Sequence, residues 1–366
     1  MRRASPAADP ATPSRSLPLL AGETKLLALL AARKIDLDDP TSPPWTLEID
    51  PTQRCNLSCG FCPWRARLPD AALPPEILLA TVAGAASLGV RGLIFTGGGE
   101  PLLHPALPAA VDQAVACGMS VGLYTNGTLV TRELAQRLIP GLAWVRLNLP
   151  AADPRRYQEL TGRDLWAAAW QGAAELLRAR GAASRPRVGL GLVVSGHRGE
   201  QPDDLGRELT SLARQASRLG LDFLQLKHDL TRLADPAYGR WWDEQVPRVA
   251  DRVRQQVPGL PLLVAAGGYR GQAAPAPCRV ALLAPAVRAD GQVVACRWLR
   301  DREDALLGDL HQVTLPALWH GEAVAAMRQR LARDGCAASC AYQRFNRQLA
   351  QGRRALDEGT GDGDFL

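Results

Sequence analysis

Residues 52–64 read TQRCNLSCGFCPW and gather Cys55, Cys59 and Cys62 into one short stretch. Thiolates are soft ligands, suited to zinc or to iron–sulfur clusters. A disulfide would use two of them, and a structural zinc takes four protein ligands. Three suit a four-iron cube that keeps one iron open to a cofactor or substrate. The same trio would also serve a zinc knuckle completed by a distant residue, or stand as reduced surface cysteines.

A second stretch, TGGGEPLLHP at 96–105, carries Gly97, Gly98, Gly99 and Glu100. Successive glycines let a backbone approach a ligand closely, and their amides can meet a carboxylate or carbonyl. Glu100 adds an acceptor for an ammonium group. Read alone, the run is a glycine-rich turn. Four more thiols follow late in the chain, Cys278, Cys296, Cys336 and Cys340, with a hairpin-like VRADGQVVAC between the first two. Four ligands are enough for one cluster or one zinc.

Three other residues stand out. Lys227 ends the run LQLKHD, where an ammonium could pair a substrate hydroxyl or carboxylate, move a proton, or close a salt bridge. Cys117, in QAVACGMSV, reads as a small buried hydrophobe, with a hydrogen-atom donor as the functional alternative. His104, in PLLHP, reads as a residue that orders its loop. Trp166, Trp170, Trp241 and Trp242 fall at helical positions where core packing is expected.

The elements that must position these groups alternate. Strand-like runs at 46–50, 92–96, 121–125, 144–149, 188–194 and 222–227 are separated by helical patterns such as PEILLATVAGAASLG and DDLGRELTSLARQASRLG. That alternation implies parallel strands with right-handed crossovers. The near-continuous VGLGLVV suits a sheet covered on both faces. Six such units make an α/β fold of partial (β/α)6, TIM-like barrel type, whose reactive loops lie at the C-terminal strand ends. The cysteine loop follows the first strand directly. The expected organisation is a tail and short helix over 1–44, the barrel over 45–230, a helical bridge over 231–270 and a cysteine-bearing module over 271–366.

Composition narrows the partners. The chain has 366 residues and a formal charge of +6, with 43 basic residues scattered among acids. Only Lys25, Lys34 and Lys227 are lysines, and dispersed arginine leaves no phosphate-tracking face, so no nucleic-acid partner is expected. No apolar run reaches membrane-spanning length and the start lacks a signal-peptide core, so a cytoplasmic protein is expected. Eight cysteines in such a chain favour metal or redox chemistry over disulfides.

CNLSCGFC after a first strand and GGGEP after a second resemble the radical S-adenosylmethionine (SAM) superfamily, over roughly residues 45–230. The resemblance implies a [4Fe–4S] cluster held by Cys55, Cys59 and Cys62, whose open iron chelates SAM. It places Phe61 near the adenine and gives the SAM amino group to Gly97, Gly98, Gly99 and Glu100. Asn126 matches a polar rim residue, Asn148 stands where a ribose-contacting Ser is usual, and Ser195 is a further SAM contact. Pro150 replaces a common acid. Cys278, Gly291, Cys296 and the stretch GDLHQVTLPALW resemble an auxiliary-cluster module. With Cys336 and Cys340 they hold one auxiliary [4Fe–4S] cluster, in the shorter "twitch" form of the SPASM module. Such an enzyme implies a one-electron donor, such as flavodoxin or ferredoxin. A cluster saturated by four cysteines favours net oxidation of a small molecule, a sugar or aminocyclitol. Epimerisation would need a thiol donor, and peptide modification a recognition domain longer than residues 1–44. The non-enzymatic alternative is a zinc-binding adaptor.

Overall fold

A computed structural model describes residues 42–64, 70–195, 202–232, 235–265, 277–278, 280–336 and 346, all within one unit, Leu37–Asn346. Six parallel strands lie side by side: β1 (Thr46–Ile49), β2 (Gly92–Phe95), β3 (Ser120–Thr125), β4 (Trp144–Asn148), β5 (Arg187–Val194) and β6 (Phe223–His228). Between them run α1 (Pro75–Ser87), α2 (Leu107–Ala116), α3 (Arg132–Leu138), α4 (Pro154–Thr161), α5 (Trp166–Arg180) and α6 (Pro202–Leu219). The six-unit barrel expected from the strand–helix alternation is therefore present. The stretch read as a helical bridge holds α7 (Pro236–Gln256) and also a short strand, β7 (Leu262–Val264), parallel to β6.

The strands are less uniformly apolar than a sheet covered on both faces requires. One face sends Leu47, Ile49, Leu93, Phe95, Val145, Leu147 and Leu190 into a core shared with Leu78, Val82, Val111 and Leu176 of the helices. Burying each such side chain is worth about 1.5–3 kcal/mol. The alternate positions point inward, and Thr96, Tyr124, Arg146, Asn148 and Lys227 line an interior cavity. In VGLGLVV the inward positions Gly189 and Gly191 make room. A Cβ on Gly189 would stand 2.6 Å from the Phe223 ring, and one on Gly191 would stand 3.1 Å from Arg146 Nε.

The second module joins the barrel at its first strand. β8 (Ala286–Val287) pairs parallel to β1, and β9 (Gln292–Val294) and β10 (Leu306–Asp309) continue antiparallel, giving a ten-stranded sheet. Two further helices follow, α8 (Leu315–Trp319) and α9 (Glu322–Arg333). Trp45, Glu48 and Asp50 donate backbone N–H to Leu283, Pro285 and Val287 at 2.9–3.1 Å. The turn after β9 then sends two arginines back to β1. Arg297 Nη1 meets both Glu48 oxygens at 3.0 and 3.3 Å, and Arg300 pairs Asp50. Arg300 also lies 4.3 Å over the Trp64 ring of the cysteine loop. Among the described residues no helix is long and apolar enough to cross a membrane.

The Asp50 and Arg300 side chains are only 3% and 11% exposed. Burial pushes the Asp50 carboxyl up, outweighing Arg300 and Arg297, so the pair holds the modules together at an electrostatic cost. Asp50→Ala should lower stability by about 3 kcal/mol in urea unfolding of the iron-loaded protein, because Arg300 is left buried alone. Replacing both by apolar residues of similar size, Asp50→Leu with Arg300→Met, should recover most of that loss. A double variant as unstable as the single one would refute the desolvation account.

Candidate active site

The cysteine loop is held by its backbone. Ser58 and Gly60 donate N–H to the Thr161 and Leu160 carbonyls at 2.8 and 3.0 Å, using acceptors that α4 leaves unpaired at its C-terminus. Gly162 ends that helix in the left-handed region (φ 69°). Asn126 at the end of β3 donates from Nδ2 to Asn56 Oδ1 at 2.8 Å, and Asn56 donates to Thr128 Oγ1 at 2.8 Å, so two strand ends grip the loop.

The glycine run packs against the same loop. Gly99 N–H donates to Thr52 O at 3.1 Å and Glu100 N–H to Arg54 O at 2.8 Å. A Cβ on Gly98 would collide with the Gln53 side chain, and one on Gly99 with the Arg54 carbonyl. The glycines are thus required by the close approach of two loops. Glu100 is buried, and its carboxylate accepts from Thr125 Oγ1 (2.7 Å), Asn126 N (2.7 Å) and Leu102 N (3.1 Å). Burial nevertheless outweighs these donors and pushes its pKa up to about 7.

All of these groups open on one cavity of about 280 Å³. Cys55, Cys59, Cys62 and Phe61 line one end, with Gly97, Gly98, Gly99, Glu100 and Asn126 beside them. Asn148, Tyr124, Arg146 and Lys227 come from β3, β4 and β6, and Trp64, Arg297 and Trp298 complete the wall. Ser195 is not among the lining residues; its carbonyl accepts from Arg232 Nη1 at 2.7 Å. His104 is buried and orders its loop, donating from Nε2 to Leu73 O (2.7 Å) and accepting Ala106 N–H at Nδ1 (3.3 Å). Cys117, expected as a buried hydrophobe, is exposed where it caps α2, just before β3 begins.

The second thiol set is more enclosed. Cys278 and Cys296 are buried, Cys336 is half-buried, and Cys340 lies outside the described residues. Cys278 is within hydrogen-bonding reach of Cys336, whose proximity, followed by burial, pushes the Cys278 thiol far above its ordinary range. Burial pushes Cys296 up to about 12. Asn346 Nδ2 donates to Cys278 Sγ at 3.2 Å. Such thiols ionise on taking up a metal, which couples loading to proton release. Among the described residues no three thiol, imidazole or carboxylate groups are drawn fully to metal-binding separation. The donor chemistry fits two clusters: three thiols beside an acid and a glycine-lined wall, and a separate enclosed set supported by an amide donor.

Two family models match the chain: the radical SAM superfamily over residues 49–209, and an iron–sulfur cluster-binding domain, SPASM, over 278–342. The first contains the cysteine loop and the glycine run, and the second all four later cysteines. The chain carries a radical SAM domain followed by a SPASM domain. It is 38% identical over 125 residues to a GTP 3′,8-cyclase of Chlorobaculum tepidum, covering 32% of this chain and 36% of that protein. It is 36% identical over 128 residues to a PqqA peptide cyclase of Streptomyces rochei, covering 34% and 35%. The shared stretch is therefore about a third of these relatives' length. In fold it resembles Streptococcus suis SuiB bound to precursor peptide SuiA, with a TM-score of 0.63, 15% identity, and 88% and 74% of the two chains covered.

The radical SAM domain carries a [4Fe–4S] cluster with SAM, and the SPASM domain an auxiliary iron–sulfur cluster. Sequence reasoning did not single out Arg146, Tyr124, Arg297 or Trp64 of the cavity, nor Glu48, which holds Arg297. A signal was available for two of them. Glu48 and Arg146 are charges inside the short apolar strands TLEI and WVRLN, at positions alternating with buried leucine, isoleucine and valine. Arg297 and Trp64 reach the site only through the joining of the modules.

Gly99→Ala should displace the cysteine loop, since the added methyl meets backbone and cannot be relieved by a rotamer. The expected outcome is loss of about half the iron per chain by colorimetric assay, with far-ultraviolet circular dichroism unchanged. Full iron loading would show that the glycine run does not position the loop.

Proposed function

We propose that this chain is a radical SAM oxidoreductase that removes two hydrogens from a hydroxylated small molecule of the sugar or aminocyclitol kind. One observation carries this reading. Cys296 of the auxiliary set is followed directly by Arg297 and Trp298, which line the same cavity as Cys55, Cys59 and Cys62. When loaded, the first cluster and SAM supply a 5′-deoxyadenosyl radical for hydrogen abstraction, and the auxiliary cluster supplies an acceptor for the second electron.

The chain's own residues do the rest. Cys55, Cys59 and Cys62 hold the first cluster, and Cys278, Cys296, Cys336 and Cys340 the second. Gly97, Gly98, Gly99 and Glu100 take the SAM amino group, with Phe61 against the adenine and Asn126 and Asn148 at the ribose side. Lys227 accepts the proton. Burial, then the nearby charges of Arg146 and Arg297, hold its amine well below the usual lysine range, which favours the neutral base. The balance closes: a hydrogen atom leaves to the deoxyadenosyl carbon, an electron to the auxiliary cluster and the hydroxyl proton to Lys227. A carbinol becomes a carbonyl. The electron that opens each cycle comes from an external donor of flavodoxin or ferredoxin type.

Redox-neutral epimerisation is disfavoured because the only described thiols lining the cavity are those of the cysteine loop. A second reading, oxidation of a peptide side chain, draws on the stretch shared with PqqA peptide cyclase. The cavity would then take one side chain.

Anaerobic incubation with SAM and dithionite should convert substrate to a product two hydrogens lighter, with one 5′-deoxyadenosine per turnover by mass spectrometry. Cys117→Ser should keep that activity. Cys278→Ala with Cys296→Ala should cleave SAM yet release no product. A product of unchanged mass carrying solvent deuterium would replace this reading with epimerisation.

Glu100 gives a pH test. Its carboxylate form pairs the SAM ammonium, and its pKa near 7 means that the fraction ionised grows across neutrality. SAM affinity, measured by anaerobic calorimetry, should rise from about pH 6 to about pH 8 and then level. Glu100→Gln should weaken SAM by about 1.5–3 kcal/mol and flatten that slope, without loss of iron. An equal slope in the variant would assign the titration elsewhere.

A further inference from the structure

Arg146 is a buried cation, 6% exposed, that forms no salt bridge among the described residues; Glu48, which acts on its charge, is held by Arg297. Its Nη1 donates to Gln225 Oε1 at 2.6 Å, its guanidinium carbon lies 3.6 Å over the Tyr124 ring, and its Nε has no partner among the described residues. The acids around the site are already engaged. Glu48 is held by Arg297, Asp50 by Arg300, and Glu100 by Thr125, Asn126 and Leu102. Next to Arg146, Asn148 Oδ1 is also buried without a hydrogen bond, and both atoms lie within 3.2 Å of the space that Gly191 leaves empty. A buried guanidinium without an ion-pair partner is costly enough that a counter-charge is expected from a ligand.

The position within the barrel says which ligand. Arg146 pairs in register with Tyr124 and Gly189, two residues before Asn148 at the strand's end, so it lies deeper than the rim loops. Tyr124 beside it and Arg297 and Glu48, on the side of the second module, act on its charge, and it in turn acts on Lys227. The charges acting on Cys55 of the cysteine loop are Glu100 and Cys62. The cavity therefore has two electrostatic ends, and SAM belongs to the one with the cysteines and Glu100. We propose that Arg146 receives an oxyanion, a carboxylate or phosphate carried by the substrate, at its unpartnered Nε–H. This deepens the reading above and rests on it: the substrate is an acidic member of its class, such as a sugar acid or sugar phosphate.

The test uses anaerobic, iron-loaded, SAM-bound enzyme with inorganic phosphate and acetate in separate arms, against chloride at equal ionic strength. One of the two anions should raise the thermal midpoint of the parent, and the larger response distinguishes phosphate from carboxylate. Arg146→Met should raise the midpoint without added anion, because the lone buried charge is gone, and should abolish the anion response. Its SAM affinity should stay within twofold of the parent. Arg146→Lys, which keeps the charge, should retain part of the response and serves should the methionine variant not fold. The proposal is overturned by an anion response that survives in Arg146→Met, which would mark an adventitious ion only. It is equally overturned by a tenfold loss of SAM affinity, which would give Arg146 to the cofactor, or by no response to either anion in the parent. Dithionite-driven SAM cleavage by the parent tests the underlying radical SAM reading separately.

Discussion

The paired contacts of Arg297 with Glu48 and Arg300 with Asp50 are the constraint on which the rest of the structure depends. They seam a cysteine-bearing module to the first strand of a partial barrel, at the strand whose following loop carries the other cysteines. Backbone pairing of β8 with β1 sets the register, and the ion pairs fix which side chains cross it. Since Cys296 is the residue before Arg297, fixing the arginine also fixes a thiol beside the cavity. A seam built from buried charge is poor in net stabilisation and rich in geometric specificity. That trade suits a joint that brings Arg297 and Trp298, the residues after Cys296, into the cavity lined by the cysteine loop.

Much of this was legible in the residues. Strand–helix alternation yields the barrel because parallel strands need crossovers, and the crossover helices show their own periodicity. The cysteine loop and GGGEP are local motifs, so their chemistry survives being read without a fold. The glycine run had been expected to serve a ligand, and it lines the cavity. Gly99 is also needed because the Gln53–Arg54 backbone lies where its Cβ would go. One motif meets a packing constraint and a binding role together.

Other features were hidden for physical reasons. Cys117 reads as apolar filler by residue type, yet its place on the solvent side of α2 exposes it. Ser195 follows an apolar strand, and its carbonyl accepts from Arg232. β7 is three residues long and carries no pattern distinct from a loop. Arg297 comes to the cavity through contacts between residues about 250 positions apart in the chain, the separation from Glu48 being 249, and no local pattern encodes such a meeting. The inward charges Glu48 and Arg146 were visible in principle, as polar residues at alternate positions of buried strands.

The account's central claim is that the chain holds two separate iron–sulfur sites and that SAM addresses only the one on the cysteine loop. Electron paramagnetic resonance of the dithionite-reduced, fully loaded enzyme tests it most directly. Two cluster signals are predicted, of which SAM perturbs one, and replacing Cys55, Cys59 and Cys62 together by Ala should remove the SAM-responsive signal while the other persists. A single signal in the parent, or a response to SAM that survives in the triple variant, would contradict the account.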